Sequence, residues 1–216
     1  GDASYTVSGK MGGAFEFDGT NDYIDIEDND ILSFTDELDN DKPFSISLWF
    51  NASSMRSSYN WIFAKRAASS SLREYQIFLG AYQLKATLYD DSEGSAIGNS
   101  YLTALNTNQW YHLIVTYNGN EAAEGLNIYL DGADMPNDYT TSGDYYGMEN
   151  TGGEVQIGTN WDNAYEFNGS IDDVMIFNRS LSAAEIANMY ANQSTNYFEN
   201  NFTGLSDAAH TVKVYS

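Results

Sequence analysis

The chain has 216 residues, 42% hydrophobic and 15% aromatic, enough for one folded domain with a core of ordinary size. It contains no cysteine, which excludes disulfides, thiolate metal sites and a cysteine nucleophile, and it has no apolar run of about 18 residues that would span a membrane. Nine Lys and Arg stand against 31 Asp and Glu, a net charge of −22 that excludes nucleic acid and anionic lipid surfaces as partners. Three readings of that acidity stay open: a solubilising surface, calcium binding through hard oxygen ligands, and adaptation to salt. No secretory signal opens the chain, so in a secreted parent Gly1 would lie well after the signal.

Short alternating runs separated by turn residues fill the sequence. Ala14–Phe17 and Tyr23–Ile26 alternate about the turn Asp18-Gly19-Thr20-Asn21. In Phe44–Phe50 the residues Phe44, Ile46, Leu48 and Phe50 share one face, with Ser45, Ser47 and Trp49 on the other. Trp61–Lys65 follows, then Tyr75–Leu79 and Gln83–Tyr89, joined as a hairpin through Gly80-Ala81-Tyr82. Tyr111–Tyr117 ends at Asn118-Gly119 and Leu126–Leu130 at Asp131-Gly132, both turn-forming pairs. Val155–Ile157 and Ile171–Phe177 complete a set of roughly ten strands, the pattern of an all-β, two-sheet antiparallel sandwich. One short C-terminal helix is predicted over 182–191, because Ser182 and Glu185 form a capping box ahead of Ile186, Met189 and Tyr190. The domain is expected to span 1–192. The segment 193–216 turns polar and then alternates again over His210–Tyr215, which reads either as an edge strand or as the start of a following module.

Four segments in this order resemble the laminin-G-like (LamG, jelly-roll) domains of the concanavalin A-like lectin/glucanase superfamily. They are Ala14–Ile24 (AFEFDGTNDYI), Phe44–Phe50 (FSISLWF), Trp110–Tyr117 with Leu126–Gly132, and Gly169–Ser182 running on to Glu185-Ile186. The resemblance covers about 14–190 and implies two facing antiparallel sheets with loops crowding one rim. The tail 197–215 separately resembles the first strands of an immunoglobulin-like repeat.

The resemblance also implies a structural calcium ion held where the opening strand pair meets the last strand. The matching positions here are Asp172 and the turn carrying Asp18, Gly19 and Asp22. Asp172 is read in phase with Val174 and Ile176, on a face otherwise apolar, where a carboxylate needs a metal or backbone N–H partners. Both partners remain open at this point. For ligand binding the candidates are Trp61, Tyr145, Tyr146 and the patch Asn160, Trp161 and Asp162, with Tyr165 beside them, in stretches read as loops. Rings that merely pack loops onto the sandwich are the alternative. Tyr23-Ile24-Asp25-Ile26-Glu27 resembles part of a glycosidase E-x-D-x-E motif. It lacks the first Glu and sits on the opening strand, so a solvated strand face explains it better. Neither His112 nor His210 belongs to a recognisable triad or zinc motif. Five N-x-S/T sequons, at Asn51, Asn168, Asn178, Asn192 and Asn201, fit a surface protein without demonstrating one.

The sequence thus reads as a non-catalytic extracellular recognition module of a larger multidomain chain, binding carbohydrate or a cell-surface protein, with structural calcium. A spacer without its own ligand is the second reading, and a glycoside hydrolase or lyase the third.

Overall fold

The computed structural model describes residues 2–56, 58–66, 72–80, 83–102, 104–160 and 165–194. Two seven-stranded sheets face one another. The first runs β1 (Ser4–Gly9), β2 (Gly12–Asp18), β14 (Asn168–Phe177), β4 (Phe44–Ala52), β9 (Trp110–Tyr117), β10 (Leu126–Leu130) and β11 (Ala133–Asp134). The second runs β12 (Asp138–Ser142), β8 (Ser95–Leu102), β7 (Gln83–Asp90), β6 (Arg73–Leu79), β5 (Asn60–Arg66), β13 (Glu154–Ile157) and β3 (Ile24–Ile26). Every strand pairing is antiparallel.

The alternation read from the sequence decides what lies between the sheets. Phe44, Ile46, Leu48 and Phe50 of β4 join Leu113, Val115 and Tyr117 of β9 and Ile77 and Leu79 of β6 in one core. Fully burying each such side chain is worth about 1.5–3 kcal/mol. At Asp131-Gly132 both residues have positive φ (51° and 78°), and Leu130 pairs with Ala133, so a two-residue turn of the expected type closes β10 onto β11.

The outer face of the first sheet is also covered, which alternation alone did not indicate. α1 (Ala183–Ser194) lies over it, so Ser45, Ser47 and Trp49 are as buried as the core residues between them. Leu181 and Ile186 pack on Ile114, and Trp49 donates to Gln193 Oε1 at 2.9 Å. The capping box forms as the sequence predicts: Ser182 N and Oγ donate to Glu185 Oε2 at 2.9 and 2.8 Å, and Glu185 N donates back to Ser182 Oγ at 3.3 Å. Ser182→Ala is expected to cost about 1 kcal/mol in urea unfolding. The helix runs on to Ser194, past the expected domain limit at 192, and the tail from 195 lies outside the described residues.

Four strands escape the hydrophobic pattern: β1, β8, β11 and β12. In β8 (SAIGNSYL) and β12 (DYTTS) the residues are mostly small or polar, so neither shows a sustained apolar face.

Candidate functional site

The outer face of the second sheet carries a groove of about 600 Å³. Its position follows from the alternation of β6 and β7. Ile77 and Leu79, and Leu84, Ala86 and Leu88, go to the core, which sends Gln76 and Phe78, and Lys85, Thr87 and Tyr89, to the opposite face. A register shift in β5 between Trp61 and Phe63 inserts one residue, so Trp61 pairs with Phe78 in the groove while Ile62 and Phe63 both enter the core. Across the groove β8 presents Gly98. A Cβ there would meet Thr140 Oγ1 at 2.9 Å and the Ala86 carbonyl at 3.1 Å, so only glycine keeps the floor low.

Aromatic rings form one wall. Trp61 is buried, and Tyr59 stacks on it with centroids 5.4 Å apart and planes 13° apart. Tyr165 meets Tyr59 edge-on at 5.7 Å, and Phe78 meets Trp61 edge-on at 5.1 Å. Tyr59 and Tyr165, 42% and 43% exposed, are the rings a ligand can reach.

The polar lining is basic. Arg66, Arg73 and Lys85 line the groove, and among the described residues no Asp or Glu does, in a chain with 31 of them. Arg73 lies over the Tyr89 ring at 4.0 Å and is anchored from outside the groove by Asp91, through Nε at 2.8 Å and Nη2 at 2.5 Å. Lys85 takes part in none of the ion pairs among the described residues. Gln76 donates through its amide nitrogen to the Tyr89 hydroxyl. Its Oε1 is buried in the lining without a hydrogen-bond partner among the described residues.

The structure brings together some of the predicted ligand residues and not others. Trp61 and Asn160 line the groove, with Tyr165 beside them, although Trp61 stands on a strand rather than a loop. Trp161 and Asp162 lie outside the described residues. Tyr145 turns inward, correcting its reading as a binding ring: it is 9% exposed and its hydroxyl donates to Asp41 Oδ2 at 2.7 Å. Asp41 also accepts from Tyr117 Oη at 2.7 Å and Met148 N at 2.8 Å, so Tyr145 belongs to a buried knot that pins its loop. Tyr146 is 65% exposed but faces a separate hollow beside Glu121 and Glu124.

The four residues expected to hold calcium do not converge. Asp18, Gly19 and Asp22 share one turn, where Asp18 N donates to Asp22 Oδ2 at 2.8 Å, Thr20 N to Asp18 Oδ1 at 2.7 Å, and Arg56 Nη2 to the Gly19 carbonyl at 2.5 Å. Asn168 pairs with Asp18, which places Asp172 four positions, about 13 Å, further along the strand. There Asp172 Oδ2 accepts from Met11 N at 2.8 Å, in the turn between β1 and β2. A bulge between Asp172 and Met175, with Asp173 at φ 50°, breaks the phase read from the sequence. Asp172 therefore pairs with Trp49 on the outer face, while Val174 and Ile176 pack toward the core. Among the described residues no three His, Asp or Glu side chains are grouped as metal ligands.

The sequence also missed a Ser–His contact. Ser47 Oγ and His112 Nε2 lie 2.9 Å apart, brought face to face by the pairing of β4 with β9. Among the described residues His112 Nδ1 has no partner and no acid orients the ring, which is buried against Trp49 and Tyr190.

A family model, Laminin_G_3, described as concanavalin A-like lectin/glucanases superfamily, matches residues 18–187. No curated protein matches the chain in sequence. Among solved structures, the binding domain of botulinum neurotoxin serotype G is similar with a TM-score of 0.68 at 17% identity, over 90% of this chain and 45% of that one. The binding domain of Paraclostridial Mosquitocidal Protein 1 gives 0.64 at 16% identity, over 87% and 45%. Domain 4 of AbnA, an extracellular arabinanase from Geobacillus stearothermophilus solved with arabinotriose, gives 0.58 at 19% identity, over 88% and 82%. The chain thus spans less than half the length of the two toxin chains.

Proposed function

The chain belongs to the Laminin_G_3 family of the concanavalin A-like superfamily, and from that premise we propose that it is a carbohydrate-binding module whose site is the groove on the outer face of the second sheet. The observation that carries this reading is the wall of Tyr59, Trp61 and Tyr165 beside the buried Gln76 Oε1, which has no partner among the described residues. An exposed ring offers a flat apolar face to the C–H face of a sugar, and the Gln76 oxygen offers a hydrogen bond to a hydroxyl. The arabinotriose complex of the AbnA domain supports a sugar ligand on this fold. The groove lining holds no carboxylate among the described residues, whereas glycoside hydrolysis needs a facing pair, which supports binding without catalysis. The toxin and secreted-enzyme settings of the similar domains support an extracellular place in a larger chain.

The test is calorimetric titration with arabino- and galacto-oligosaccharides against the protein and its Tyr59→Ala and Tyr165→Ala variants. Both rings are partly exposed, so the fold survives their removal. Each variant is expected to lose at least about tenfold in affinity, or 1.4 kcal/mol. Unchanged affinity in both variants would remove the groove as the site. An absence of any glycan binding would leave the spacer reading in its place.

A further inference from the structure

We propose that the groove selects anionic sugars, carrying a carboxylate or a sulfate, a specificity that rests on the reading of the groove as a glycan site. The chain carries −22 overall, yet three of its nine basic residues, Arg66, Arg73 and Lys85, line this one groove and no described acidic residue does. A solubilising acidic surface has no reason to spare one depression. Cations concentrated beside reachable rings are what an anionic ligand needs to overcome the repulsion of the remaining charge.

The cations differ in what they offer. Arg73 is held by Asp91 and by stacking on Tyr89, which fixes its guanidinium and neutralises part of its charge. Lys85 has no such partner among the described residues. Its Cε lies 3.3 Å from where a Cβ on Gly98 would stand, so the aliphatic stem crosses the groove floor toward β8. On the same floor, the buried Gln76 Oε1 supplies a neutral acceptor. A sugar ring on Tyr59 and Tyr165 would thus place its acidic substituent across the floor, against the ammonium of Lys85. Because the Debye length at physiological salt is about 8 Å, this local attraction outlasts the repulsion of the distant surface acids.

The experiment titrates the intact protein at physiological salt with matched pairs: oligogalacturonate against its methyl ester for the carboxylate, and dextran sulfate against dextran for the sulfate. Each is repeated with Lys85→Gln and Tyr59→Ala. The expected result is that at least one anionic probe binds tenfold or more tighter than its neutral partner. Lys85→Gln should remove most of that preference, and Tyr59→Ala should weaken binding of both members of each pair. A preference in the galacturonate pair alone identifies the carboxylate as the group read, and in the dextran pair alone the sulfate. Equal binding within both pairs, with Tyr59→Ala still weakening it, overturns the anionic specificity and leaves the glycan site standing. An anionic preference that survives Lys85→Gln overturns the assignment to Lys85, and one that survives both Lys85→Gln and Tyr59→Ala overturns the assignment to this groove. Binding of none of the four probes overturns the proposal for both kinds of acid sugar.

Discussion

Lys65→Met is expected to destabilise the protein by about 3–5 kcal/mol at neutral pH, the cost of leaving a buried charge unpaired. The Lys65 side chain is fully buried, and its ammonium lies 2.6 Å from Asp28 Oδ1, 2.5 Å from the Gly153 carbonyl and 3.2 Å from Glu74 Oε1. Glu74 is equally buried, and its Oε1 also accepts from Thr151 N and Oγ1 at 3.0 Å. Burial pushes the Glu74 carboxyl above its ordinary range even though Lys65 pulls it down. Without the lysine that carboxyl rises further and takes up a proton in the folded state. A folded pKa raised above the unfolded one makes stability grow as pH falls through it, so the deficit of the variant should shrink between pH 7 and pH 5. The double variant Lys65→Met/Glu74→Gln should recover part of the loss. Urea denaturation of the parent and the two variants at both pH values checks this, and a single variant within about 1 kcal/mol of the parent at pH 7 would contradict it.

The second large effect is the loss of stability on acidification through His112. Its ring is buried against Trp49, stacked at 4.8 Å, with Tyr190 at 6.1 Å, and desolvation lowers its pKa from 6.5 to about 4. The unfolded chain takes a proton near pH 6.5 that the folded chain refuses until about pH 4. The histidine's contribution is therefore complete above pH 6.5 and is lost as pH falls through that window, about 3 kcal/mol in all. Burial raises Asp41, Glu74 and Asp131, the last accepting the His112 backbone N–H, so these groups act in the opposite sense. The informative quantity is consequently the difference between the parent and His112→Gln. The parent should lose about 3 kcal/mol more than the variant between pH 7 and pH 4. Parallel pH profiles, or the His112 resonance titrating near 6.5 in the folded protein, would contradict the assignment.

Much of the sandwich was legible because its core strands bury one face and wet the other, or bury both with residues of different size. FSISLWF shows Phe44, Ile46, Leu48 and Phe50 as a stripe even though α1 later covers Ser45, Ser47 and Trp49. The groove was legible only in part. Trp61 and Asn160 stood out as residue types. The floor, however, rests on β8 and β12, whose small and polar residues leave no apolar period. Two bulges then reassigned faces that strict alternation had fixed. One turned Trp61 out beside Phe78, and the other moved Asp172 out of phase with Val174 and Ile176. Lys85 and Arg73 drew no notice in sequence, because only strand pairing shows that they share a face where no described acid lines the groove.

The measurement that bears most directly on the glycan-binding groove is amide chemical-shift mapping of the labelled protein during titration with oligogalacturonate and with an arabino-oligosaccharide. Shifts that cluster on Gln76, Thr87, Ser95, Gly98 and Thr140 are the predicted result, since these amides lie along the groove floor and its rim. Shifts confined to the first sheet, around α1 or along β1 and β2, would contradict it and place the recognition surface on the opposite side of the sandwich.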